Sequence, residues 1–302
     1  MKLVSYRSSS SSPPTVGVLV DNTVLPAANL LAAAGFDPAG AATMVDFIQL
    51  PRETLSAIAS SAADAGTRPD RMPVNSVELL APVARPSKII GLGYNYRALC
   101  QNEGVTPAEI PELFTKMPTS VTGPSDPVIV PKVIDKVDYE AELGVVIGRT
   151  CSSVSVDEAL EFVAGYTVVN DVTAKVIPRP PESGSVVLAL KGVDTFAPTG
   201  PCLVTADELP DPQNLQLLCR VNGEEKQNFN SSDMIHTVAE TIAYVSARIT
   251  LEPGDIISTG TSLGIGIVQR PPVFLNDGDV VECEIRGIGT IRNEFVLLSA
   301  RG

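Results

Sequence analysis

Glycine and proline interrupt this chain 23 and 25 times, and that punctuation does more than any other feature to limit its fold. Both residues break helices, and both favour turns. The stretches left between them, such as TVGVLV, LQLLCRV and VVECEI, are short, aliphatic and β-branched, which is strand chemistry. Asn222-Gly223 falls between LQLLCRV and EEKQNF, the pairing a type I′ hairpin turn requires. Pro253-Gly254, Asp277-Gly278 and Gly287-Ile288-Gly289 separate IISTG, VVECEI and TIRNEFVLL in the same way. Two segments carry helical patterns instead: SVDEALEFVAGY, with its Ser/Asp/Glu start, and SSDMIHTVAETIAYVSARI. The predicted architecture is α+β, mostly β, built around a large and mostly antiparallel sheet system.

Residues 1–80 read as a separate small N-terminal α/β domain. LVSYR and TVGVLV would be strands around the polar SSSSSPP tip, and LLAAAG and ETLSAIASSAADAG would be Ala-rich helices. LLAPVARPSK then leads, at about residue 85, into a second domain running to residue 302. Over 302 residues the formal charge is −13. A surface of that sign repels phosphate backbones and anionic headgroups, which argues against nucleic-acid and membrane partners. No apolar run approaches the ~18 residues of a membrane span. The five cysteines are dispersed, without a CxxC pair, as expected of reduced thiols in a cytoplasmic protein. GLGYNYRA lacks the last glycine and the distal acid of a dinucleotide fingerprint, so a dehydrogenase reading gains nothing from it.

The chemistry concentrates in VDYEAELGVVIG. On a strand, Glu140 and Glu142 share one face with Gly144, while Tyr139, Ala141, Leu143, Val145 and Ile147 line the other. Two acids on one face suit either a solvated edge or a hard cation. A third acid shifts the balance to the cation: GYTVVNDVTAK is another apolar strand, and it ends at Asp171. A carboxylate is costly there unless something positive meets it. Three oxygen donors with no His or Cys nearby point to Mg²⁺ or Mn²⁺ rather than Zn²⁺.

With these residues in place, the chain from about 85 to 295 resembles the catalytic domain of the fumarylacetoacetate hydrolase family. KIIGLGYNYR, FTKMPTSVTGP, VDYEAELGVVIGR, AGYTVVNDVTAK, LKGVDTFAPTGP, VNGEEKQ, SSDMIHTV, LEPGDIISTGTSLGIG and GDVVECEIRGIGTIRN follow the family's order. The resemblance implies a mixed β-roll/β-sandwich catalytic domain, a small N-terminal domain and a homodimer. It also implies a Mg²⁺ or Mn²⁺ site on Glu140, Glu142 and Asp171. The implied substrate is a small anionic 2-oxo or 2,4-dioxo acid, with the metal acting as a Lewis acid that favours an enolate; the outcome could be C–C hydrolysis, decarboxylation or isomerisation. By the same likeness, Lys191 is the catalytic cation near the metal, and Thr261 and Gly260 of STGTSLGIG take the substrate carboxylate. Lys175 and Lys116 join them as substrate contacts. Tyr96 is placed with these as a hydrogen-bond donor, core packing being its other reading.

The sequence departs from the family at the proton-handling end. Where N-Y-x-x-H-x-x-E supplies a His/Glu dyad, this chain has Leu99 and Asn102, and Glu103 falls one residue late. Lys175 stands where many members have Arg, and Pro178 where several have Gln; an ammonium is a point charge rather than a bidentate fork. The only histidine, His236, falls opposite the apolar face of a helix drawn from Asp233, and is expected to be exposed or at an interface. Standard hydrolysis is therefore the outcome most in question. The non-enzymatic alternative is a metal-holding scaffold that binds a ligand or partner.

Overall fold

A computed structural model of the chain describes residues 1–63, 68–175 and 186–298. Its backbone is a twelve-stranded sheet facing a five-stranded one. From one edge, the large sheet runs Met72–Pro73, Thr23–Pro26, Thr15–Val20, Lys2–Arg7, Ala197–Thr205, Val163–Asn170, Ala141–Ile147, Ile256–Ser258, Ile89–Gly93 and Glu112–Lys116, with Glu78–Leu80 and Val121–Thr122 pairing off this path. The smaller sheet runs Glu224–Asn230, Gln216–Val221, Val280–Ile285, Gly289–Leu297 and Val128–Val130. The expected hairpin is present, with Asn222 and Gly223 at φ 52° and 81°. No helix among the described residues is long and apolar enough to cross a membrane.

Side-chain alternation divides the core in two. Tyr139, Ala141, Leu143, Val145 and Ile147 join Cys219, Val281, Ile285, Ile291 and Phe295 between the sheets. Val146, on the Glu142 face, instead joins Leu30, Leu31, Phe47 and Ile58 of the N-terminal helices, with Leu203 and Ile256. Residues 1–80, expected as a small N-terminal domain, contribute strands to the same sheet as the rest of the chain. Lys2–Arg7 pairs with Ala197–Thr205, extending the central sheet, and the N-terminal helices cover residues from both parts of the chain. Burying that shared apolar face is what joins them.

Two helix boundaries also differ from the sequence pattern. SVDEALEFVAGY is helical only over Val156–Ala159, behind a Ser155/Glu158 capping box, with a 3₁₀ turn over Leu160–Phe162. From Val163 the chain is already strand, since VAGYTVVN alternates and is buried on both faces. The second helix spans Val238–Ser246, because the Thr237/Glu240 capping box fixes its start. His236 thus precedes the helix, so the helical-face argument does not apply to it; the residue is half-buried, with Nε2 3.1 Å from the Ala108 carbonyl.

Candidate active site

Antiparallel pairing sets Ala141 opposite Asn170, so the start of one apolar strand meets the end of the other. The Asp171 N–H donates to the Glu140 carbonyl at 2.8 Å, and the Glu140 N–H to Asn170 Oδ1 at 3.0 Å. These bonds fix Glu140, Glu142 and Asp171 with one ligand oxygen each, all within 4.8 Å of one another. All three are buried: 6 %, 1 % and 0 % exposed. Such a cluster is sustainable only with compensating charge.

Three lysines supply it. Lys191, closing the helix Val186–Lys191, bridges Glu140 Oε2 at 2.8 Å and Asp171 Oδ2. Lys175 donates to Glu140 Oε1 at 2.6 Å. Lys116 donates to Asp171 Oδ1 at 2.6 Å and to the Val172 carbonyl at 3.1 Å. Lys116, expected among the substrate contacts, has no exposed side-chain surface and is sealed behind Asp171. Its hydrogen bonds hold that carboxylate in place.

The glutamates differ electrostatically. Burial would raise Glu140, but Lys175 and Lys191 outweigh it and hold the carboxyl at about 2. Glu142 has no lysine hydrogen bond. Burial, with Asp171 and Glu140 adding to it, pushes its carboxyl up to about 8. Its Oε2 accepts from Ser258 Oγ at 2.6 Å and from the Gly260 N–H at 2.9 Å, while Oε1 has no partner among the described residues. A buried oxygen without a partner, in an all-oxygen donor set, fits a hard divalent cation.

The loop STGTSLGIG folds back on the carboxylate strand. Thr261 Oγ1 donates to the Ala141 carbonyl at 2.9 Å and accepts from Gln227 Nε2 at 2.8 Å. The Thr261 hydroxyl and the Gly260 N–H, expected at a substrate carboxylate, are thus both engaged within the fold. Gly264 lies at φ +97°, and a Cβ there would come within 1.9 Å of the Lys226 carbonyl. Only glycine permits that approach. Tyr96 is fully buried, edge-on to Phe229 at 5.0 Å, and its hydroxyl has no partner among the described residues. Burial and the charge of Glu142 raise its phenol, which stays protonated as a donor.

Residues 88–296 match the family model described as fumarylacetoacetate (FAA) hydrolase C-terminal. The chain belongs to the fumarylacetoacetate hydrolase family. The mitochondrial oxaloacetate tautomerase fahd2 of Xenopus laevis is 38 % identical over 296 residues, covering 98 % of this chain and 90 % of that protein. Among solved structures, the fumarylacetoacetate hydrolase of psychrophilic Exiguobacterium antarcticum superposes with a TM-score of 0.80 at 31 % identity, covering 99 % of this chain and all of that one. A maleylpyruvate hydrolase from Sphingobium sp. SYK-6, in complex with manganese(II) and pyruvate, gives 0.78 at 29 % identity over the same shares. The protein is thus a fumarylacetoacetate hydrolase-family enzyme, and its acidic triad can bind a metal.

At the family's dyad positions, Leu99 is packed in the core and Asn102 is exposed, its amide donating to Glu103 Oε1 at 3.0 Å. Glu103 turns to Arg270 at 3.6 Å. Pro178 lies outside the described residues. Sequence reasoning missed three supports: Asp138, Asn95 and Gln227. Buried Asp138 accepts from the N–H groups of Gly266 and Ile267 at 2.7 and 2.9 Å, pinning the loop. Asn95 joins three segments, donating to the Thr259 and His236 carbonyls and accepting from the His236 N–H. Asn95 opens the N-Y of the family pattern, but nothing local shows which segments it bonds. Asn95→Ala strands the buried Thr259 carbonyl, so a loss of about 1–3 kcal/mol is expected; urea unfolding of the two proteins checks this.

Proposed function

We propose that the enzyme interconverts the keto and enol forms of a small 2-oxo dicarboxylic acid, oxaloacetate being the first choice, with bound Mg²⁺ or Mn²⁺. One contrast carries this reading. The carboxylate triad and its lysines are complete, while the water-activating positions hold buried Leu99 and solvent-facing Asn102. Tautomerisation moves a proton between carbon and oxygen and consumes no water, so it needs charge stabilisation and a proton carrier but no hydrolytic dyad. The tautomerase name of a relative aligned over nearly the whole chain supports the same choice.

When bound, the cation would be held by Glu140, Glu142 and Asp171 and would act as a Lewis acid on substrate oxygens. Lys191, 13 % exposed and directed at two of the triad, supplies positive charge where the 2-oxygen becomes negative. Lys175, held between Glu140 at 2.6 Å and Asp138 at 3.7 Å, offers an ammonium to a carboxylate of the dianion. Tyr96, fully buried against Phe229, packs in the core and is given no part in the reaction. Buried Leu99 offers no group that could activate water. The family resemblance supports a homodimer, and five buried free thiols support a reducing compartment such as the cytoplasm.

Enol–keto equilibration of oxaloacetate, followed by loss of enol absorbance, is expected to accelerate with Mg²⁺ or Mn²⁺ and return to background with EDTA. Acylpyruvate hydrolysis should stay at background and rise in the Leu99→His/Asn102→Glu double variant. Fast acylpyruvate cleavage by the parent, or no acceleration of oxaloacetate equilibration, would refute the proposal.

A further inference from the structure

Lys191 has a third neighbour, and it is not an acid. Its Nζ lies 4.8 Å from the centre of the Phe114 ring. That ring is fixed from behind. Phe114 is the cross-strand partner of Gly91, and a Cβ at residue 91 would lie 2.2–2.7 Å from three of its ring atoms. The far edge of the ring therefore fills the space that a Cβ at residue 91 would take, so no other residue type leaves room for it. Two residues on, with the same strand orientation, Lys116 reaches Asp171. The edge strand Glu112–Lys116 thus directs two side chains at the centre, a ring under one lysine and an ammonium on one carboxylate.

The carboxylate contacts of Lys191 depend on the state of the site. A divalent cation drawing on Glu140 and Asp171 would compete with the ammonium for their oxygens and repel it. The ring face is neutral, and such a cation leaves it unchanged; in a desolvated setting it is a substantial partner for an ammonium.

We propose that Phe114 is a positioning residue for the Lys191 ammonium: its face, set by Gly91, keeps that cation aimed at the substrate when metal occupies the triad. This rests on the tautomerase reading for its substrate but not for its geometry, so the test separates the two. Phe114 is replaced by mono-, di- and trifluorophenylalanine, which drain the ring's negative face with little change in shape. Three quantities are read: ¹⁹F shift of the metal-free protein with and without Lys191→Met, calorimetric binding of oxalate to the Mn²⁺-loaded protein, and oxaloacetate turnover.

Expected are a ¹⁹F shift that responds to Lys191→Met and a stepwise fall in oxalate affinity totalling about tenfold over the series, with melting temperature unchanged. Phe114→Trp should retain affinity that Phe114→Leu loses. A ¹⁹F shift indifferent to Lys191→Met, or oxalate affinity flat across the series, overturns the proposal. Absent oxaloacetate turnover alongside a graded oxalate series would reject the tautomerase reading and leave the platform standing.

Discussion

Glu142→Gln is expected to abolish divalent-cation binding and to lower turnover by roughly 10³-fold or more, the scale of losing a Lewis acid worth several kcal/mol, while the fold is kept. The fold survives because the amide oxygen can still accept from Ser258 and Gly260, the two groups that hold Oε2 in the parent. What disappears is the unpartnered oxygen Oε1 and its charge. The pH dependence makes the prediction specific. Burial holds Glu142 at about 8 against an ordinary 4.5, so the metal-free fold favours its neutral form. The stability that proton contributes is complete below about 4.5 and is lost as pH rises through 8. Glu140 runs the other way: held at about 2, it contributes stability above about 4.5 that is lost as pH falls toward 2. A metal must displace the Glu142 proton below pH 8, so parent affinity should rise about tenfold per pH unit between 6 and 8 and then level off. Calorimetry in buffers of different ionisation enthalpy should show proton release on binding at pH 7 and little at pH 9. Glu142→Gln should melt higher than the metal-free parent at pH 9. Tight metal binding by the variant, or pH-independent affinity in the parent, would remove Glu142 from the site.

That residue was legible in the sequence because its placement is expensive. An acid inside an aliphatic strand, repeated two residues away and again at the end of a second strand, has few physical excuses. The same logic could not find Lys116. In FTKMPTS it looks like any edge-strand lysine, and its burial depends on Asp171, 55 residues away. Nor could it find Phe114, whose role depends on a glycine across the strand pair and a lysine on a distant helix. Thr261 and Gly260 were legible as loop residues near the centre, but local pattern does not show whether a hydroxyl or N–H faces ligand or fold; here the Ala141 carbonyl and Glu142 take them. The fold divided similarly. The hairpin at Asn222-Gly223 follows from two adjacent residues. The pairing of Lys2–Arg7 with Ala197–Thr205 joins segments some two hundred residues apart, and no local pattern encodes it. His236 was set on a helix because the apolar spacing continues back past Thr237, whereas the capping box at Thr237/Glu240 decides where the helix begins.

Lys191→Met should separate two jobs of one ammonium. Turnover of oxaloacetate should fall about 10²–10³-fold, the loss seen on removing a single electrostatic stabiliser of a developing oxyanion. The stability effect differs between the two states of the site. In the metal-free protein, Lys191 is a bonded partner of both Glu140 and Asp171, and deleting one member of a buried charge cluster costs about 3–5 kcal/mol. The metal-free variant should therefore melt well below the parent. Metal binding to the parent has to draw these oxygens away from the lysine; in the variant they are already free of it. Metal affinity should consequently rise in Lys191→Met, and the gain in melting temperature on adding Mn²⁺ should exceed the parent's. A residue that merely filled space would lower stability in both states alike. If Lys191→Met loses metal affinity along with activity, the ammonium is holding the triad together for the cation rather than competing with it, and the assignment of Lys191 to the substrate oxygen would have to be given up.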